Sequence, residues 1–211
     1  MYPNMKNLAE LTGILLGDGS LSLRDNNPKS INRLKITLNS QTDKDYTIYI
    51  SKLLKNLFEI EPIVKYRLHE NTVDLFIFRK HILLFLIKNL GLNLSPKWER
   101  AVIPKIFLFD DLDLFVLRGY FDTDGSIVTA NNNGTLYPRL EMKICPSPMQ
   151  SQFIDILTKY NFKFGVYDIG NGKIRIQLNG KSQLNQWLNL VGFSNMRHIS
   201  KLSRFNLNNV L

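Results

Sequence analysis

Two stretches of the chain share an uncommon pattern, bulky apolar residues interrupted by a small residue at every fourth position and closed by Asp-Gly-Ser. They run from Leu11 to Ser20 (LTGILLGDGS) and from Leu117 to Ser126 (LRGYFDTDGS). The apolar runs predict helices over residues 7–17 and 112–123, each ending at Asp-Gly, with the glycine suited to a left-handed C-terminal turn. Two strands are expected next. The second of each pair alternates strictly, as Arg33-Leu-Lys-Ile-Thr-Leu38 and Arg139-Leu-Glu-Met-Lys-Ile144, the period-two signature of a sheet with one buried face. Helical periodicity resumes over residues 43–58 and 148–160. Further strand pairs follow at 63–69 with 73–79 and at 164–169 with 173–179, the last two joined by Gly170-Asn171-Gly172, a strong hairpin signal. Residues 80–90 and 181–191 predict closing helices.

The order is therefore αββαββα, twice, an α+β fold with one antiparallel sheet per half. The two halves also keep register. Gly13 maps to Gly119, Asp18 to Asp124, Arg33-Leu34 to Arg139-Leu140 and Ile48 to Ile154, all 106 positions apart. After a small slip, Ser95-Pro96-Lys97 parallels Asn195-Met196-Arg197. Two copies of this length point to a fused, internally twofold-symmetric pair. The expected division is a first half over residues 1–95, a linker over 96–111 containing Pro104, and a second half over 112–211.

Composition narrows the partner. Lys and Arg number 27 against 18 Asp and Glu in 211 residues, a formal charge of +9, which makes nucleic acid the first polyanion to consider. The basic residues are dispersed, so a binding surface has to be built by the fold rather than by a tail. The longest apolar run, residues 82–87, is too short to span a bilayer. The N-terminus lacks a signal-peptide pattern. A single cysteine, Cys145, excludes an internal disulfide and suits a reducing compartment. The expected setting is intracellular, organellar or prokaryotic, with no membrane partner.

The repeated helix suggests chemistry as well as packing. Gly13 and Gly17, like Gly119 and Thr123, lie four apart on one helix face, where small residues let two backbones approach closely. Packing the two helices against each other brings Asp18 and Asp124 together at their C-terminal ends. A carboxylate there faces the negative end of the helix dipole unless a cation offsets it. Two carboxylates beside helix-end carbonyls form the hard oxygen site that Mg²⁺ prefers. The alternative reading of either Asp-Gly, a simple turn, stands beside this one.

Leu11-Thr-Gly-Ile-Leu-Leu-Gly-Asp-Gly19 and Leu117-Arg-Gly-Tyr-Phe-Asp-Thr-Asp-Gly125 both resemble the LAGLIDADG motif, and the chain resembles a single-chain, double-motif homing endonuclease of that family. The resemblance implies two pseudo-symmetric halves, motif helices at their interface and two sheets forming a saddle over double-stranded DNA. It implies metal binding by Asp18 and Asp124 with the carbonyls of Gly17 and Thr123, through Mg²⁺ or another divalent cation such as Mn²⁺ or Ca²⁺. It further implies hydrolysis of both strands, leaving short 3′ overhangs, by a monomer. Asp122, at the motif's variable sixth position where the other copy has Leu16, is assigned no catalytic role. Lys97 and Arg197 are candidates for the basic group that the family places near the scissile phosphate. Helix-start chemistry or phosphate anchoring would explain them equally. No glutamine matches the water-orienting position some members have after the second strand. His69, His81 and His198 lack metal-ligand spacing and read as surface or structural residues.

The free strand faces offer candidates for reading DNA. They are Ser22, Arg24, Arg33, Lys35, Thr37, Lys65 and Arg67 in the first half. The second half offers Arg139, Glu141, Lys143, Lys173, Arg175, Gln177 and Asn179. Amides and an acid among the cations suit base edges in the major groove better than phosphate alone, although an ordinary solvated sheet face also favours charge. Because the halves differ at these positions, an asymmetric target is expected. Residues 25–30 and 131–134 are expected hairpin tips that reach flanking base pairs. No splicing ends of an intein flank the motifs, so an intron-encoded or free-standing nuclease is expected. The alternative is an RNA maturase that binds intron RNA on the same fold.

Overall fold

The computed structural model describes residues 4–24 and 31–205. The first half contains α1 (Met5–Leu16), β1 (Gly19–Ser22), β2 (Arg33–Asn39), α2 (Lys44–Phe58), β3 (Ile63–Arg67), β4 (Thr72–Ile77) and α3 (Lys80–Leu84). The second contains α4 (Leu112–Asp124), β5 (Gly125–Asn132), β6 (Thr135–Ile144), α5 (Met149–Lys159), β7 (Gly165–Asp168), β8 (Ile174–Asn179), α6 (Lys181–Leu190) and α7 (Met196–Leu202). Each half builds one antiparallel sheet, ordered β1-β2-β4-β3 and β5-β6-β8-β7. The α+β architecture with two pseudo-symmetric halves is thus what the periodicity predicted.

Alternation sets the sheet faces. Leu34, Ile36 and Leu38 of β2 are buried beside Val73, Leu75 and Ile77 of β4, and Leu140, Met142 and Ile144 of β6 beside Ile176 and Leu178 of β8. The helices cover these faces, with Tyr46, Ile50 and Leu54 of α2 and Phe153, Ile156 and Leu157 of α5 all buried. Arg33, Lys35 and Thr37 emerge on the opposite face, as do Arg139, Glu141 and Lys143. The Asn4 side chain caps α1, its Oδ1 accepting from the amides of Lys6 and Asn7 at 3.0 and 3.3 Å.

Several local expectations need correcting. Neither motif glycine adopts a left-handed conformation; Gly125 has φ −88° and starts β5 directly. Gly19 and Gly125 are needed for close approach instead, since a Cβ would lie 2.5 Å from the Leu15 Cα or the Phe121 ring. Residues 80–90 are not one regular helix, because α3 passes at Phe85 into a wider π-turn, Phe85–Asn89. Helix α7 follows the closing helix that periodicity predicts at 181–191. Segment 25–30 lies outside the described residues, whereas Asn131–Gly134 does form the β5–β6 tip, with the Gly134 amide donating to Asn131 Oδ1 at 2.9 Å.

The connection between halves is strapped at both ends. The Ser95 amide donates to Leu21 O (2.9 Å), the Met149 amide to Ala101 O (3.1 Å), and Ile103 exchanges two hydrogen bonds with the Gln152 side chain at 2.7 and 2.9 Å. This route carries Lys97 to the end of α1.

Candidate active site

Helices α1 and α4 cross backbone to backbone. A Cβ on Gly13 would lie 2.1 Å from Val116 O, and one on Gly119 would lie 2.1 Å from Glu10 O. At the next turn, Gly17 meets the Thr123 side chain, its notional Cβ 2.1 Å from Oγ1. The four small residues named from the sequence therefore form the contact itself. Beside it, the fully buried Glu10 carboxylate is paired with Arg118 of α4 and accepts from Tyr49 Oη (2.8 Å) and Ser194 Oγ (2.6 Å). A buried carboxylate costs far less when paired and hydrogen-bonded, so this network fixes how the two halves sit.

The crossing delivers Asp18 and Asp124 to one place. Burial, followed by the charge of Asp124, pushes the Asp18 carboxyl up to about 7, with Lys97 and Arg197 opposing. Asp124 is also raised, first by desolvation and again against Lys97 and Arg197, although its side chain reaches solvent. Among the described residues, neither carboxylate accepts a hydrogen bond from a protein donor. Mutual repulsion without donors is the electrostatic condition that a cation relieves. Hard carboxylate oxygens fit a divalent ion, so the residues present suit one. Among the described residues no third His, Cys, Asp or Glu completes a metal cluster.

Each helix end is closed by a basic residue from the following repeat segment. Lys97 Nζ donates to the carbonyls of Leu15, Leu16 and Gly17, each at 2.7 Å. Arg197 donates to the carbonyls of Asp122 and Thr123, each at 3.2 Å, and pairs with Asp43 at 3.4 Å. Lysine and arginine are favourable at a helix C-terminus. Burial lowers the Lys97 pKa even though Asp124 and Asp18 draw it up. The Gly17 and Thr123 carbonyls, named as metal ligands from the resemblance, thus each already accept from a cationic side chain. Asp122 is a structural acid. Fully buried, it accepts from the amides of Ser194 (2.6 Å) and Asn195 (3.2 Å), and desolvation raises it to about 8. His198 is buried against Phe121 and Phe193 and lowered to about 3 by desolvation, whereas His69 and His81 are exposed.

Sequence reasoning missed Glu10, Arg118, Asp43 and Asn195. The Asn195 side chain donates to Asp43 Oδ1 at 2.9 Å and to Asp122 O at 3.0 Å. A signal did exist, since Glu10 and Arg118 interrupt otherwise apolar helix runs. Their partnership, 108 residues apart, has no local signature.

The candidate DNA-reading residues divide in three ways. Ser22, Arg33, Thr37, Lys65, Lys143, Arg175 and Asn179 lie on strands with surface access. Lys35, Arg67, Arg139 and Glu141 do too, but their charges are engaged. Arg67 and Lys35 pair with Asp74 at 2.9 and 3.8 Å, and Arg139 pairs with Glu141 at 3.3 Å. Three placements are corrected. Arg24 lies beyond the end of β1, Lys173 precedes β8, and Gln177 is buried on its expected face, its Nε2 3.4 Å from Glu141 Oε2.

A raised carboxylate makes stability depend on pH. Folded Asp18 keeps its proton up to about pH 7, whereas an unfolded aspartate releases it near 4. Native protein therefore binds the extra proton between those values, and stability falls as pH rises through that window. Without divalent ions, Asp18→Asn is expected to melt at about the wild-type temperature at pH 4.5. At pH 8 it should gain on the order of 1 kcal/mol, roughly 2–4 °C. Parallel melting curves at the two pH values check this, and a constant difference would contradict it.

The LAGLIDADG DNA endonuclease family profile matches residues 9–184. Replication factor C small subunit of Methanocaldococcus jannaschii is 27% identical over 205 residues, 92% of this chain but 10% of that protein, so the chain spans about a tenth of its length. The homing endonuclease I-WcaI bound to its DNA recognition sequence superposes with a TM-score of 0.65 at 16% identity, covering 100% of this chain and 89% of that one. I-DmoI in complex with DNA and Mn gives 0.60 at 16% identity over 91% and 99%. The N-terminal LAGLIDADG domain of DUF199/WhiA gives 0.57 at 14% identity over 96% and 88%.

Proposed function

The chain belongs to the LAGLIDADG DNA endonuclease family, and from that premise we propose that it is a site-specific double-strand DNA endonuclease. The observation that carries the reading is the meeting, at the ends of paired helices, of two carboxylates, Asp18 and Asp124, that accept no hydrogen bond among the described residues. Each motif helix ends in one acid and is capped by one basic residue, so each strand of a duplex has its own set. The unlike sheet faces favour a long asymmetric target.

Asp18 and Asp124 would hold a divalent cation, Mg²⁺ by preference or Mn²⁺ or Ca²⁺ in the same place. Bound there, such an ion supplies polarisation of the scissile phosphate and a lower pKa for the attacking water. Lys97 and Arg197 anchor the helix ends and place positive charge beside the phosphate, where negative charge grows in the transition state. Water oxygen bonds to phosphorus as the bond to the 3′ oxygen breaks. The products are a 3′ hydroxyl and a 5′ phosphate, with no protein nucleophile. Metal binding must displace the Asp18 proton, so apparent affinity for the cation should rise with pH as Asp18 deprotonates.

The test is selection from a randomised double-stranded DNA library with Mg²⁺, followed by sequencing of cut ends. A single long asymmetric site with staggered ends supports the endonuclease. Retention of intron RNA without cleavage of any DNA would shift the assignment to RNA binding on the same fold.

A further inference from the structure

A cleft of about 330 Å³ opens beside Asp124, lined by Lys97 and Trp98 from the inter-half segment and by Lys143 and Lys173 from the second half. Trp98 is 43% exposed, uncommon for so large an apolar side chain next to a charged site, and Lys173 Nζ lies 5.2 Å over its ring. An aromatic face flanked by cations suits a nucleotide, which presents an apolar base or sugar face and a phosphate.

Among the described residues, the equivalent positions of the other half carry different side chains. Thr37 pairs with Asp74 across β2 and β4 as Lys143 pairs with Arg175 across β6 and β8. That register makes Thr37, Thr72 and Asp74 the equivalents of Lys143, Lys173 and Arg175. The equivalent of Trp98 is His198, which follows Arg197 as Trp98 follows Lys97 and is wholly buried. Asp74 is neutralised by Arg67 and Lys35. One side of the centre therefore offers an open aromatic-cation cleft, whereas the equivalent described positions on the other side carry a buried His198, two threonines and an ion-paired Asp74.

We infer that the Trp98–Lys143–Lys173 cleft is a one-sided nucleotide subsite that seats a single DNA strand next to its scissile phosphate, so the two strands are cut at unequal rates. This deepens the endonuclease assignment and rests on it. Trp98 and the two lysines are positioning residues, because they grip the strand while the carboxylates remain the reacting centre.

The test uses the full chain and the DNA that it selects from the library, with a different dye on each 5′ end. Trp98→Ala, and separately Lys143→Gln with Lys173→Gln, are expected to slow cleavage of one strand about tenfold, the scale of one lost stacking contact. The other strand should change less than twofold, so the strand preference seen in the wild type should shrink or reverse. The double lysine change should also flatten the salt dependence of binding by about 1.8, the value for two lost phosphate contacts. Equal slowing of both strands, or of neither, overturns the subsite. A second readout needs binding alone. The chain has 2 tryptophans, and the other, Trp187, is fully buried. DNA should quench the exposed indole in the wild type but leave Trp98→Phe emission unchanged. If DNA is bound and quenches Trp98 but is never cut, the subsite stands and the endonuclease reading fails. If DNA binds without quenching, the subsite fails on its own. If the chain binds no DNA at all, both fail.

Discussion

Asp18→Asn and Asp124→Asn are each expected to reduce double-strand cleavage by on the order of 10³-fold or more, the factor corresponding to several kcal/mol of metal-assisted stabilisation. DNA binding should stay within about threefold of wild type, since neutralising an acid at a DNA surface removes repulsion rather than attraction. The reason is geometric. Each carboxylate closes one motif helix, and Lys97 and Arg197 already hold the carbonyls around it. Among the described residues at these helix ends, the two acids are the side chains left without a partner to take a cation. Asparagine keeps the shape and one oxygen but loses the charge, so folding survives while the cation site weakens. Gel shift and single-turnover cleavage on the same duplex separate the two effects. Asparagine variants that cut at the wild-type rate would dismiss the paired carboxylates as a catalytic centre and leave them as turn residues.

Gly13→Ala and Gly119→Ala are expected to cause the largest losses of stability, about 3 kcal/mol each, or roughly 6–12 °C of melting temperature in a chain of this size. In both cases the new methyl meets backbone. Val116 O and Tyr120 N lie 2.1 and 2.7 Å from the Gly13 position, and Glu10 O and Ile14 N lie 2.1 and 3.0 Å from the Gly119 position. Backbone cannot rotate aside, so the two helices have to separate, and the Glu10–Arg118 pair and both acids move with them. Gly17→Ala is the control. Its methyl meets the Thr123 side chain rather than backbone, and a side chain can turn about χ1 where backbone cannot, so its cost should be clearly smaller. Calorimetry of the three variants decides the matter. Similar melting points for all three would mean that backbone approach is not what holds the halves together.

The small-residue stripe was readable because helical spacing alone puts residues four apart on one face. The sheets were readable because alternation alone assigns faces, as Leu34, Ile36 and Leu38 show by their burial. Pairing between strands and helices distant in the chain was not. Arg67 looked available for DNA until the sheet set it against Asp74, and Gln177 looked free until the fold covered it. Lys97 and Arg197 could be matched as repeat equivalents, but their carbonyl partners depend on the path of the inter-half segment, which no periodicity encodes.

By itself the sequence determined the doubled αββαββα order, the helix face carrying Gly13, Gly17, Gly119 and Thr123, and the pairing of Asp18 with Asp124. Those features follow from local periodicity and from the repeat. Tertiary structure decided that Glu10 and Arg118 lock the halves, that the Gly17 and Thr123 carbonyls are shared with cationic side chains, and that one cleft exposes Trp98 while its counterpart buries His198. The physical reason is that charge pairing and burial depend on distance in space, and residues 80 or more positions apart are brought to hydrogen-bonding distance only by the folded chain.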